Sequence, residues 1–150
     1  MKEKGFTLIE LMVVIIVMGI MMAIAIPNLT RNLPYRNLIN GRDQVRIDLS
    51  AVRQRAITQD SAYGLYSPAG SLNQYSLFLD RNKDGTFTGG EPALKTMKLP
   101  NGITFTQGWN LSFLSSGQLP GGMGAVTVTL TNTKGMRDSI LVMLSGAVFH

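Results

Sequence analysis

GFTLIELMVVII, residues 5–16, sets a carboxylate, Glu10, inside an otherwise apolar run. A charge of this kind at the centre of a membrane helix costs roughly 2.5–3.5 kcal/mol on insertion scales, so intramembrane carboxylates are rare and call for a partner. From Leu11 to Ile26 no residue is charged or polar, Gly19 aside. Counted from Phe6, the run is long enough to cross a hydrocarbon core. Lys2 and Lys4 precede it. By the positive-inside rule they mark a cytoplasmic end, which places everything after Pro27 on the far side of the membrane.

Three readings compete for this segment. A secretory signal has support from the basic start and from Ala23-Ile24-Ala25, a small-x-small cleavage pattern. A signal's apolar region normally contains no carboxylate, however, and a plain signal anchor leaves Glu10 equally unexplained. The third reading accounts for every feature. Met1-Lys2-Glu3-Lys4-Gly5 followed by Phe6-Thr7-Leu8-Ile9-Glu10 resembles the leader of type IV pilins and type II secretion pseudopilins. The resemblance implies that a prepilin peptidase cuts after Gly5 and methylates the new amino terminus, Phe6, while the apolar helix is kept. It also implies that Glu10 pairs with the amino terminus of a neighbouring subunit in a filament core. The physics agrees: opposite charges in a low-dielectric bundle offset much of each other's desolvation, and removing one strands the other. Pro27 falls where the family usually carries a proline.

The remainder of the 150 residues has room for one compact domain. Cysteine is absent, which excludes a disulfide framework and a thiolate metal site; the net charge of +5 is modest. Leu38, Val45, Leu49, Val52 and Ala56 recur at helical spacing. The opposite face carries Arg42, Arg46, Arg53 and Arg55 with Asp43 and Asp48 among them, read as a solvated face. The expectation is a long helix, interrupted near Pro27 and Pro34 and weakened at Asn40-Gly41, ending near Gln59–Ser61 and laying its apolar stripe on a globular domain.

Beyond Ser61 the period changes to two. Ala125–Thr131 alternates as a half-buried strand does, and Tyr75–Leu79 and Ser139–Leu144 are strand-like in composition. Weaker candidates are Tyr63–Tyr66, Leu94–Lys98, Ile103–Thr106 and Leu111–Leu114. Short strands without intervening helices predict an antiparallel sheet. The fold class is therefore α+β, a long membrane-spanning helix packed by its distal half on an antiparallel β-sheet head. The division is a leader at 1–5, a transmembrane helix at 6–27, a distal amphipathic helix at 28–60 and a β-rich periplasmic head at 61–150. Leu49–Ile57, Phe78–Gly85 and Gly90-Glu91 make the head similar to the GspH/FimT group of minor pilins and pseudopilins.

Within the head, Asp80 to Glu91 satisfies a twelve-residue calcium-loop pattern. Asp80, Asn82, Asp84 and Glu91 offer oxygens at positions 1, 3, 5 and 12, Gly85 stands at position 6, and Thr86 can add a carbonyl. The same residue types favour a plain turn between strands, and Arg81 and Lys83 offset part of the charge. Both readings, a calcium ion and a hairpin, stay open on the sequence. Nucleic acid is not the expected partner. The DNA-uptake members of the group share a basic Gly-Arg-x-Arg ending, and here Gly146-Ala147-Val148-Phe149 puts apolar residues at both arginine positions. Catalysis finds little support, since the one histidine is His150 and three of the head's carboxylates lie in the same loop. The resemblance implies a structural role: a minor pseudopilin of a type II secretion system, anchored in the bacterial inner membrane and placed near the tip of a periplasmic filament. Its partners would be other pilins or pseudopilins, through the N-terminal helix. The alternatives are a minor pilin priming type IV pilus assembly and a DNA-uptake pilin.

Overall fold

A computed structural model describes residues 6–149; the leader 1–5, with Gly5, and His150 lie outside the described residues. The chain forms two compact units that meet in sequence between Leu33 and Pro34. The first is built on α1 (Leu8–Arg31). Thr7 starts it, since the Glu10 N–H donates to the Thr7 carbonyl (3.1 Å) and to Thr7 Oγ1 (3.3 Å). Thr-x-x-Glu is the order of a capping box, with an acid well placed for the helix dipole. Every side chain from Phe6 to Ile26 is exposed.

α2 (Leu33–Thr58) belongs largely to the second unit, together with the strands. Between the helices only Asn32 is non-helical. Pro27 lies inside α1 instead of ending it. Pro34 sits in the first turn of α2, where its missing N–H would have had no partner. The predicted stripe is the buried one: Leu38, Val45, Leu49, Val52 and Ala56 are all buried, Val45 and Leu49 completely. Truncating a Leu in such a setting costs about 2–5 kcal/mol. Gly41, expected to weaken the helix, is buried within it. A Cβ there would meet Ile103 at 3.3 Å and Pro100 at 3.4 Å, so the missing side chain lets helix and sheet approach closely.

The strands are β1 (Tyr63–Ser67), β2 (Gln74–Leu79), β3 (Ala93–Lys98), β4 (Ile103–Phe105), β5 (Trp109–Phe113), β6 (Val126–Asn132), β7 (Arg137–Val142) and β8 (Val148–Phe149). They make two four-stranded antiparallel sheets, ordered β3-β2-β1-β5 and β4-β6-β7-β8. All seven expected strands are present, with β5 and β7 each beginning two residues earlier than expected. β6 alternates as expected: Val128 and Leu130 are buried and Thr127 is exposed. The unexpected β8 closes a hairpin at Gly146, whose φ is +78° and where a Cβ would lie 1.9 Å from the Gly117 carbonyl oxygen. Only glycine fits both conditions. Phe105 of β4 meets Tyr75 (5.9 Å) and Trp109 (5.3 Å) edge-on, joining the sheets through one aromatic cluster.

Candidate functional site

α1 exposes an apolar surface from Leu8 to Ile26, long enough to cross a membrane and broken by one charge, Glu10 in its first turn. Among the described residues none gives the Glu10 carboxylate a hydrogen bond or ion pair; its backbone N–H alone is engaged, by Thr7. Phe6 is 79% exposed, just ahead of the helix. The geometry gives Glu10 a local use that its spacing in the sequence left unremarked, as the acidic third residue of a capped helix. That use accounts for an acid at a helix start. It does not account for an acid on a helix whose span, Leu8–Ile26, buries no residue among those described.

The loop from Asp80 to Glu91 joins β2 to β3 and is held by its own carboxylates. Asp80, 1% exposed, accepts from the Lys83 N–H (2.6 Å), the Gly85 N–H (3.0 Å) and the Ser112 hydroxyl on β5. Glu91 accepts from the Arg81 N–H at one oxygen and the Thr88 N–H at the other, both at 2.9 Å. Asp84 accepts from the Thr86 N–H (2.7 Å), the Thr86 hydroxyl (2.8 Å) and the Asn82 amide (2.9 Å). The Thr86 N–H and then its hydroxyl hold the Asp84 carboxyl below the usual carboxylate range, with Asn82 adding to the effect. Among the described residues no three Asp, Glu or His side chains converge as a metal centre requires. The residues expected as ligands are brought into one loop, but their oxygens order backbone N–H groups in the manner of a tight turn. A cation would compete with those bonds.

The loop also covers the sheet. Phe87 stacks on Tyr66 (3.8 Å, 3° between planes) and meets Phe78 edge-on at 5.4 Å. Phe78 is thereby fully buried. Phe87 lay in the calcium pattern without a role there; its packing needed Tyr66 and Phe78 from two other strands.

The arginine face of α2 is not simply solvated, which corrects the sequence reading. Arg42 bridges Asp43 (2.9 Å) and Asp138 of β7 (3.1 Å). Asp43 first, then the charge of Asp138, raises its already high pKa. Arg53 donates to the carbonyls of Gly117 (2.8 Å) and Ser145 (3.2 Å), pinning two loops, and Arg55 lies 4.8 Å from the centre of the Tyr63 ring. On the same helix Asp48 accepts from the buried Tyr75 hydroxyl, which also receives the Gln44 amide (3.0 Å). Burial, then the bond to Asp48 and its charge, pushes the Tyr75 phenol well above its ordinary pKa.

An N-terminal apolar helix, a second helix and an antiparallel head define a pilin-like structural subunit. Solved structures share this fold: the type IV minor pilin FimU of Pseudomonas aeruginosa (TM-score 0.56, 15% identity, 77% of this chain and 88% of that one) and the minor pseudopilin EpsH of the type 2 secretion system of Vibrio cholerae (TM-score 0.55, 12% identity, 75% and 94%). Residues 1–26 match the prokaryotic N-terminal methylation motif, and residues 43–147 match the type II transport protein GspH. The chain belongs to the GspH family, which is one of structural subunits and not of enzymes. Shorter similarities reach the type IV narrow pilus major component PilA5 of Thermus thermophilus (39% identity over 56 residues; 37% of this chain, 43% of that protein) and a ComG operon protein 3 homolog of Bacillus licheniformis (56% over 32 residues; 21% and 33%). The chain thus spans less than half the length of the curated relatives it matches.

Proposed function

We propose that this chain is a minor pseudopilin, a structural subunit near the tip of the periplasmic pseudopilus of a type II secretion system. The observation that carries the reading is the division of labour within the chain. A head with a closed core, matched by the GspH model, is joined to a helix whose apolar surface and single carboxylate are unmatched among the described residues. Such a helix needs a bilayer before assembly and neighbouring helices after it. In this reading a prepilin peptidase removes residues 1–5 by cutting after Gly5, Phe6 is methylated, and Glu10 pairs with the amino terminus of an adjacent pilin or pseudopilin. The N-terminus starts on the cytoplasmic side of the inner membrane and the head lies in the periplasm.

The likeness to FimU and the partial similarity to PilA5 favour a second reading, a minor pilin that primes a type IV pilus. DNA uptake is less favoured, because Arg42 and Arg53 are engaged within the head and the C-terminal Ala147 and Phe149 carry no charge. Deleting the gene and scoring secretion, surface pili and transformation separates the three. Loss of secretion with pili intact is the expected result; loss of pili with secretion intact would overturn it. Intact-mass analysis adds an independent check. The mature wild type should begin at methylated Phe6 and the Gly5→Leu variant should retain its leader, whereas a mature chain starting at Ile26 would mean a discarded signal.

A further inference from the structure

We infer that the end of the head where α2 begins is a docking surface for anionic phospholipid headgroups. This rests on the membrane-anchoring reading above. Two turns frame that end. Asn132 donates to the Pro34 carbonyl (3.1 Å) and accepts from the N–H groups of Lys134 and Met136 (3.0 Å each), fastening the β6–β7 turn beside the first turn of α2. Asn37 donates to the Asn101 carbonyl (3.0 Å), fastening the β3–β4 turn next to it.

The segments gathered there, 34–41, 99–107 and 131–137, contain Arg36, Lys134 and Arg137 and no acidic residue. All three basic side chains are exposed, and Tyr35 beside them is 54% exposed. Just beyond these segments, Asp43 and Asp138 are both bridged by Arg42. Exposed basic side chains, together with an aromatic residue that is apolar in body and polar at its tip, are the composition of a membrane interface.

The covalent chain brings this end to the bilayer whatever angle the head adopts. Eight residues lead from Ile26, where the apolar span stops, to Pro34. As helix that is about 12 Å, comparable to the headgroup layer plus a screening length of ~8 Å. On the orientation proposed above the cluster lies on the exported side of the membrane, where anionic headgroups match its charge. Three such residues near an anionic surface shift the docked-to-free ratio by on the order of 100-fold at low salt.

The full chain lacks cysteine, so single labels can be placed by Met136→Cys in the basic turn and by Ala125→Cys at the far end of β6, roughly 20 Å along the strand. Each labelled chain is reconstituted in vesicles of phosphatidylcholine, or of equal parts phosphatidylcholine and phosphatidylglycerol, with a headgroup-attached quencher. The Met136 position should be quenched more strongly in the phosphatidylglycerol vesicles. That gain should vanish in about 1 M salt, where the screening length shrinks to ~3 Å. It should also vanish in an Arg36→Glu/Lys134→Glu/Arg137→Glu variant, with the Ala125 position unmoved throughout. Equal quenching in both lipids, or a gain that survives salt, overturns the proposal. A signal that follows protein density instead of phosphatidylglycerol assigns the surface to an acidic face of a neighbouring copy, and overturns it too. Flotation distinguishes the two levels of failure. A chain that floats with both vesicles but shows no lipid dependence loses this proposal alone; one that fails to float loses the anchoring reading, and this proposal with it.

Discussion

Glu10 and Asp80 are both carboxylates in apolar surroundings, and they are treated in opposite ways. Asp80 is buried and receives three donors from its own chain, two loop N–H groups and Ser112. Glu10 is exposed on a helix that is exposed all round from Leu8 to Ile26, and among the described residues no donor reaches its carboxylate. A buried charge must be satisfied somewhere, because an unpaired one costs several kcal/mol. Where the chain supplies the partners, the group shapes a loop. Where the described residues do not, as at Glu10, the proposed function assigns the partner to a neighbouring subunit. The contrast predicts that the two regions fail independently.

The largest expected effect is at Glu10. Glu10→Val should still insert, since losing the charge favours partitioning, and should leave the head's melting temperature unchanged. Incorporation into filaments, scored by cross-linking to other subunits at native expression, should be lost. Glu10→Gln should fail as well if charge pairing is what matters. Neither change removes the Thr7 cap, which is made to the backbone N–H of residue 10. Normal assembly of either variant would break the contrast.

Asp80→Ala should do the reverse, leaving insertion intact while stranding buried donors. The expected loss is about 3 kcal/mol, roughly a 10 °C fall in melting temperature of the head. A fall of only a degree or two would mean that water replaces the carboxylate and that the loop is not clamped.

A smaller effect is expected at Tyr75, read through pH. Its folded pKa lies above its unfolded value, so its contribution to stability is full below about pH 10. That contribution falls as pH rises past the unfolded pKa, because the unfolded chain ionises first. Stability of the wild type in urea titrations should drop on this alkaline limb, and Tyr75→Phe should flatten it at a neutral-pH cost of about 1 kcal/mol. An alkaline limb identical in the two proteins would remove Tyr75 from the account.

The smallest effect concerns Asp84, exposed and four residues from Asp80. Its folded pKa is depressed, so its contribution is present above about pH 4, the unfolded value, and is lost as pH falls through the folded pKa. Asp84→Ala should flatten only that acid limb. The same variant bears on calcium. A site with a dissociation constant near 0.1 mM would add about 1.4 kcal/mol at 1 mM calcium, a rise of a few degrees. The hydrogen-bonded turn predicts no rise at 5 mM in wild type or variant. A rise with calcium, weaker with magnesium and abolished by Asp84→Ala, would make the loop a ligand site.

Features that depend on neighbours along the chain are readable without the fold. The apolar run with Glu10 marks the anchor, the stripe from Leu38 to Ala56 marks the buried helix face, and the alternation from Ala125 to Thr131 marks a half-buried strand. Each is a repeat of 3.6 or 2 residues that burial imposes on one face and that can be counted without knowing the partner. The match at residues 80–91 was legible as a pattern of oxygens, but its use was not. Asp80 and Asp84 are the same residue type in one turn, and it is packing against β5 that clamps one inside and leaves the other exposed. The deciding group is Ser112, 32 residues away on β5. Arg42 and Arg53 read as solvated for the same reason, since their acceptors, Asp138 and the Gly117 carbonyl, lie 96 and 64 residues away. β8 is two residues long and has no period to read; it exists because Gly146 turns the chain against Gly117. Polar partners are chosen by hydrogen-bond reach, about 3 Å in space, and that distance carries no spacing along the chain.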